Sequence, residues 1–379
     1  MEKMKKSLGI YIHIPFCLKK CLYCDFCSFP DKKGLYEEYT EELIRRIKSV
    51  SAVCSEHRVD TVYFGGGTPT LLPLTCFEKL VDTLLSSFDV NENAEITAEC
   101  NPATVSLDYL SELRKIGVNR LSIGLQSVHE NELKALGRAH SFEDFIETYG
   151  WARSAGFDNI SADLMYGIPE QTVDSFKKSL MALAELSPQH ISAYGLKIEE
   201  GTPFYKMKNS LVLPDEDTEY EMYLSMSEIL GGYGYEKYEI SNFSKKGYES
   251  RHNLRYWQGG EYLGFGVAAH SYFLGERFGN SRDIGAFLRG ESIECERSSV
   301  DEKEKLREYI MLSMRLSSGI ELSEFERKAK KSFVELYGRT NELIKNGYIK
   351  NNDGHISFTD KGFFVSNTIL SDMLETIDI

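Results

Sequence analysis

Positive charge is scarce in this chain. Over 379 residues, 44 Lys and Arg stand against 58 Asp and Glu, a formal net charge of −14. That balance argues against a nucleic-acid partner held across an extended surface, because phosphate contacts require clustered Lys and Arg. Local basic pockets for a carboxylated ligand stay compatible with it. Long apolar runs are missing too: none approaches the ~20 residues of a membrane-spanning helix. The basic first residues lead into a short apolar stretch that holds His13 and has no small-residue cleavage site. The chain is therefore expected to be cytoplasmic, touching a membrane at most peripherally. A disulfide framework is the third absence. Of eight Cys, four fall between 17 and 27, while Cys54, Cys76, Cys100 and Cys295 are scattered. This distribution reads as a metal site plus isolated thiols in a reducing compartment. Hydrophobic residues make up 42% of the chain, ample for the cores of two or three domains.

What is present begins with Cys17, Cys21 and Cys24, spaced Cys-x-x-x-Cys-x-x-Cys directly after the apolar run Ile10 to Ile14. That spacing holds three thiolates around one iron–sulfur cube and leaves the fourth iron open, whereas a closed cluster normally takes four Cys. An open iron points to a small chelating molecule as the missing ligand. Cys27 supplies a further sulfur nearby, so a four-Cys zinc or closed-cluster site is the competing reading.

From Leu8 to about Leu196, short apolar runs alternate with amphipathic helical stretches, the pattern of stacked βα units on a parallel sheet. Strands are predicted at 9–14, 60–65, 94–99, 119–124, 159–164 and 190–195, with helices near 35–50, 76–88, 106–116, 141–155 and 172–186. The class is α/β, a partial (βα)6 barrel over 1–200. An α+β extension follows over 201–299, with a helix at 216–231 and a Gly/Tyr-rich strand region at 233–243. A helical, winged module occupies 300–379, its hairpin turning at Asn352-Asp353-Gly354. Its acidic residues slightly outnumber its basic ones, which disfavours DNA as its partner.

In such barrels the loops after the strands build the site, and the unusual residues fall there. Gly65-Gly66-Gly67-Thr68-Pro69 follows the second strand, Glu99 ends the third, Gln126 follows the fourth, Asp163 ends the fifth and Tyr194 the sixth. Glycines let the backbone approach a ligand closely. Glu99 can bind an ammonium, Asp163 can accept from a hydroxyl or an amine, and Arg138 offers a fixed guanidinium beside the neutral Gln126. Each alone is equally a turn, cap or surface pair; their gathering at one face makes the site reading.

Tyr11-Ile12-His13-Ile14-Pro15-Phe16-Cys17, Gly65 to Thr70, Gly124-Leu125-Gln126-Ser127 and Asp163 to Pro169 together resemble the radical S-adenosylmethionine (radical SAM) superfamily. Within it the chain is similar to the oxygen-independent coproporphyrinogen III oxidase-like family, over essentially its whole length. The resemblance implies a 4Fe-4S cluster on Cys17, Cys21 and Cys24, without Cys27. It also implies S-adenosylmethionine, one molecule or two, in a pocket of Tyr11, Tyr23, Gly66, Gly67, Thr68, Glu99, Gln126, Arg138, Asp163 and Gly195. Two activities divide this family. The oxidase decarboxylates propionate side chains of coproporphyrinogen III by radical hydrogen abstraction. The heme chaperones, the HemW group, bind heme and pass it to apo-proteins.

The oxidase carries a long segment before its first strand, and here eight residues precede Gly9. The chaperones carry His-Asn-x-x-Tyr-Trp, matched by His252-Asn253-Leu254-Arg255-Tyr256-Trp257. A neutral imidazole beside two aromatic rings suits iron ligation and flat packing against a porphyrin. His252 is therefore the expected heme ligand, with a hydrogen-bonded loop histidine as the plain alternative. His270 is a second candidate, in a loop expected to close over the cofactor pocket. The reading is a heme chaperone, compatible with a homodimer, with heme and heme-accepting apo-proteins as partners and no catalytic residue assigned.

Overall fold

The computed structural model describes residues 5–376. Six strands, β1 (Lys6–Ile14), β2 (His57–Gly66), β3 (Val90–Cys100), β4 (Arg120–Gln126), β5 (Ile160–Tyr166) and β6 (His190–Gly195), lie side by side in chain order. Each neighbouring pair is parallel. The helices α1 (Tyr36–Val50), α2 (Leu74–Ser87), α3 (Leu107–Ile116), α4 (Phe142–Ser154) and α5 (Val173–Leu186) connect them. β4 is buried along its whole length, with Leu121, Ile123 and Leu125 in the apolar core and Arg120, Ser122, Gly124 and Gln126 alternating with them on the cavity side. Polar chemistry fixes the helix starts. At α4, Ser141 and Asp144 form a reciprocal capping box; Thr172 and Ser175 repeat it at α5.

The extension beyond residue 200 continues this sheet at both ends. After α6 (Glu216–Gly232) come the short β7 (Glu236–Lys237) and β8 (Asn242–Ser244); β8 adds antiparallel to β6 and β7 antiparallel to β8. After α7 (Arg251–Trp257), β9 (Tyr262–Phe265) docks parallel against β1. β10 (His270–Phe273), β11 (Glu276–Asn280) and β12 (Glu294–Ser299) then run on antiparallel. The result is one open twelve-stranded sheet, and the boundary expected near residue 200 does not interrupt it. A strand following a helix of only seven residues, with a Gly-Gly turn between, gives no periodic signal of its own. This is why β9 was not foreseen as a neighbour of β1.

The tail comprises α8 (Glu302–Ser313), α9 (Leu322–Ala329), α10 (Thr340–Lys345), α11 (Asp360–Phe364) and α12 (Ser366–Thr376). With them is a small sheet in which β13 (Ile320–Glu321) pairs with β15 (His355–Phe358), itself hairpinned to β14 (Ile349–Asn352). Asp353 and Gly354 both take positive φ in that hairpin's turn, the geometry that favours Asp-Gly.

Candidate functional site

The strand ends and the cysteine loop enclose a cavity of about 520 Å³, lined among others by Cys17, Cys21, Cys24, Tyr23, Gly66, Gly67, Thr68, Glu99, Gln126, Arg138 and Asp163. Hydrogen-bond donors approach the sulfurs: Thr68 Oγ1 lies 3.8 Å from Cys17 Sγ and Arg138 Nη1 3.6 Å from Cys21 Sγ. Burial holds the Cys17 thiol above its ordinary range against hydrogen bonds from Thr68 and Ser28, and pushes Cys24 up to about 11. Burial thus favours the protonated form of Cys17 and Cys24, which coordination to iron would reverse. Among the described residues no three His, Cys, Asp or Glu side chains converge on a point where one ion could sit. The fit of a cluster rests on the donor set, three thiols on the wall of one cavity with hydrogen-bond donors at two of them.

Arg138 is held rigidly, its Nη2 donating to Asn101 Oδ1 at 2.6 Å and to the Gly124 carbonyl at 2.7 Å. Its Nε is buried without a partner. Glu99 accepts from the Tyr63 hydroxyl and from the Gly66 amide, both at 3.0 Å. Burial outweighs those bonds and, with Asp163 nearby, raises the carboxyl to about 7. Burial also raises Asp163, against Ser192, Ser122 and Arg120. Two buried carboxyls that resist ionisation, in a cavity beside thiols and a guanidinium, are what a ligand carrying an ammonium or sulfonium would relieve. The residues therefore fit S-adenosylmethionine.

Local strain aims Gln126. The register between β4 and β5 slips between Gly124 and Gln126, and Gln126 takes φ of 73°, so a bulge re-aims the strand's last side chain. Its Oε1 accepts from the Tyr194 hydroxyl at 2.8 Å. The glycines of the second turn serve packing first. A Cβ on Gly66 would lie 2.4 Å from the His13 ring, and one on Gly67 2.5 Å from the Phe16 carbonyl oxygen.

Two expected residues lie elsewhere. Tyr11 lines a second cavity, with its hydroxyl 3.0 Å from His13 Nδ1. Gly195 packs under the Tyr166 ring and lines neither cavity. Cys27 lines the second cavity and not the first. His252 is corrected as a heme ligand: it is 1% exposed, with Nδ1 2.9 Å from Thr61 Oγ1 and Nε2 2.8 Å from the Tyr256 hydroxyl. Burial lowers it to about 3, so it is neutral, but neither nitrogen is free for iron. It stacks on Tyr63, ring centroids 5.2 Å apart, and so backs the tyrosine that bonds Glu99.

Sequence reasoning assigned no role to Asn101, Tyr194 or Arg120. Asn101 ties Thr68 Oγ1 to Arg138; its place just after a strand was the available signal. Arg120 lines the cavity floor, 2% exposed, with its Nε unpartnered. It begins β4, the wrong end for a site, and only its even spacing from Ser122, Gly124 and Gln126 marks it as facing inward.

Comparison with known proteins follows the same lines. The radical SAM superfamily profile matches residues 11–183 and the HemN C-terminal domain profile residues 300–365. Proteins named heme chaperone HemW are similar end to end. That of Lactococcus lactis is 34% identical, covering 98% of both chains. That of Escherichia coli is 33% identical, covering 96% of this chain and 97% of its own. Among solved structures, the radical SAM enzyme coproporphyrinogen III oxidase (HemN) of Escherichia coli superposes with a TM-score of 0.83 at 22% identity, over 99% of this chain and 91% of the other. That likeness bears on the fold.

Proposed function

This chain belongs to the radical SAM superfamily, in the group of the HemW heme chaperones, and on that footing we propose that it binds heme and hands it to acceptor apo-proteins. The observation that carries the reading is the end-to-end similarity, at 33–34% identity, to proteins named heme chaperones. Membership implies a 4Fe-4S cluster and S-adenosylmethionine. In our reading Cys17, Cys21 and Cys24 hold the cluster, and Tyr23, Gly66, Gly67, Thr68, Glu99, Gln126, Arg138 and Asp163 hold the cofactor. The cluster with its cofactor supplies one-electron chemistry at the sulfonium.

The chain's own groups do the rest. Arg138 and Thr68 direct N–H and O–H donors at two sulfurs, which favours their thiolate form. Glu99 and Asp163 take the ligand's positive end, and the Tyr63 and Gly66 donors fix the Glu99 carboxylate in place. No described helix is long and apolar enough to cross a membrane; we place the protein in the cytoplasm, where thiols stay reduced. The three-part division at residues 200 and 299 remains our proposal for folding units.

The test is anaerobic reconstitution of the cluster, then a heme titration, transfer to an apo-acceptor and a coproporphyrinogen III turnover assay on one sample. We expect heme binding and transfer without decarboxylation. Protoporphyrinogen IX as the product would establish the oxidase instead.

A further inference from the structure

We propose that the second cavity, where β1 meets β9, is the heme site, and that His270 supplies the iron ligand. The proposal rests on the heme-chaperone reading and gives it a location. The cavity measures about 350 Å³ and is lined by Tyr11, Phe26, Cys27, Tyr256, Tyr262 and His270, with Arg282 at its edge.

Elimination identifies the ligand. An iron ligand must offer a free imidazole nitrogen. Two histidines line this cavity, His13 and His270. His13 is engaged at both nitrogens, by the Tyr11 hydroxyl and the Cys27 carbonyl. His270 alone has no bond among the described residues, and it is exposed at the start of β10. Its ring lies over Gly279 on the paired strand β11, where an added Cβ would come within 2.8 Å of it. The missing side chain at Gly279 thus keeps the imidazole clear.

The walls suit a flat, apolar ligand with a carboxylate near Arg282, which shares the cavity with Asp25. Tyr256 and Tyr262 pack edge to face at 4.6 Å, giving rigid aromatic surface. Phe26 is 69% exposed, an unfavourable position for a large apolar ring that a porphyrin face would cover. Arg282, 65% exposed and 3.5 Å from Asp25, can exchange that loose pair for a propionate. The His252 to Trp257 motif then has a positioning task. His252 fixes the Tyr256 hydroxyl at 2.8 Å, so the motif builds a wall and leaves ligation to His270. Phe26 lines both cavities and lies between Cys24 and Cys27, so a ligand here touches the loop that carries the cluster cysteines. A shallow, open site also suits a protein that must release its heme.

The experiment titrates the full-length, cluster-reconstituted protein with hemin and, separately, with iron-free protoporphyrin IX. The unsubstituted protein should bind hemin with an imidazole-type spectrum. His270→Ala should weaken hemin at least tenfold and lose that spectrum, while its protoporphyrin IX affinity changes less than twofold. His270→Tyr should bind hemin with a phenolate-type spectrum, a change that no purely structural role produces. Hemin bound by His270→Ala with the unsubstituted spectrum and affinity would overturn the site while sparing the chaperone reading. Failure of the unsubstituted protein to bind hemin at all would overturn the reading itself, and the site with it.

Discussion

Glu99 is a carboxyl whose free form resists ionisation until about pH 7, because it is buried beside Asp163. The sign of the consequence follows from its charge. An ammonium ligand needs the carboxylate, so affinity for S-adenosylmethionine should rise with pH through about 7 and fall away below it. In the ligand-free protein the raised carboxyl favours folding as pH drops from about 7 towards its ordinary 4.5, the reverse of a salt-bridged acid. Isothermal titration across pH 5.5 to 8 reads the first effect, and Glu99→Gln should flatten the acid limb. An unchanged limb in that variant would assign it to another group. Alanine at Glu99, Arg138 or Asp163 should each weaken binding by about 1.5–3 kcal/mol, the range for hydrogen bonds to charged groups, with iron content unchanged.

At the sulfurs, Cys17→Ser, Cys21→Ser and Cys24→Ser should each abolish the cluster's absorbance and iron after reconstitution, whereas Cys27→Ser should keep both, since Cys27 lines the other cavity. Most of this site was legible because its residues sit at strand ends, where sequence position alone specifies the face of the sheet's rim. What position could not give was which wall a side chain belongs to. Gly195 ends its strand like the rest yet faces a tyrosine ring, while Tyr11, within β1, faces the second cavity. For His252 the sequence offers both an iron ligand and a hydrogen-bonded loop histidine, and it cannot choose, because the partners that engage the ring include Thr61, 191 residues away.

Among the elements, the turn after β2 is the tightest constraint. The Gly67 amide donates to the Ile14 carbonyl at 2.9 Å and the Thr68 amide to that of Phe16 at 2.7 Å, which lashes the turn to the strand that launches the cysteine loop. Gly67→Ala would set its Cβ 2.5 Å from a backbone oxygen that cannot swing aside. We expect a loss of about 1–3 kcal/mol, as for overpacking elsewhere, read as a lower urea midpoint, together with poorer cluster retention. Gly65→Ala meets the movable rings of Tyr63 and Tyr11 and the Glu99 carboxylate instead, so its effect should fall on cofactor binding more than on stability. The βα alternation itself was plain in the sequence: the six long strands and five long helices of the first half stand where apolar runs and caps put them, whereas the six-residue helix Glu130–Ala135 was too short to give a periodic signal. The bulge before Gln126 was not, because it depends on pairing with β5 and leaves no mark in local composition.

At the scale of the whole molecule, a buried cation is one of the links between tail and sheet, beside the Arg277–Glu308 pair and the backbone bond from Ile240 to the Arg315 carbonyl. Lys237, on β7, is 8% exposed at its side chain and bonds Asp360 of α11 at 2.6 Å. Its ammonium also lies 4.3 Å from the Tyr223 ring centroid, 5.2 Å from Phe243 and 5.5 Å from Phe363. Tyr223 donates to the Ile240 carbonyl, and a single bridge from Glu239 to Leu316 continues the contact. Burial lowers the lysine against the pull of Asp360, so the pair sets a desolvated amine against one more accessible carboxylate. Such an arrangement is costly to break from the acid's side, because the amine is left in low dielectric with no carboxylate partner, only the Tyr223 hydroxyl at 3.2 Å and ring faces beside it. Asp360→Ala should therefore destabilise by about 1–3 kcal/mol, with the loss concentrated at the junction. Limited proteolysis should release a tail fragment beginning near residue 300 while the sheet survives, and the heme titration of the surviving part should be unchanged, since His270, Tyr256 and Phe26 all lie on the sheet side. Lys237→Met, which removes the charge and keeps the stem against the three rings, should be milder than Asp360→Ala. If Asp360→Ala melts the tail and the sheet in one transition, with no protected intermediate, the tail is an integral part of the barrel's cooperative unit and the boundary near 300 is not a folding boundary.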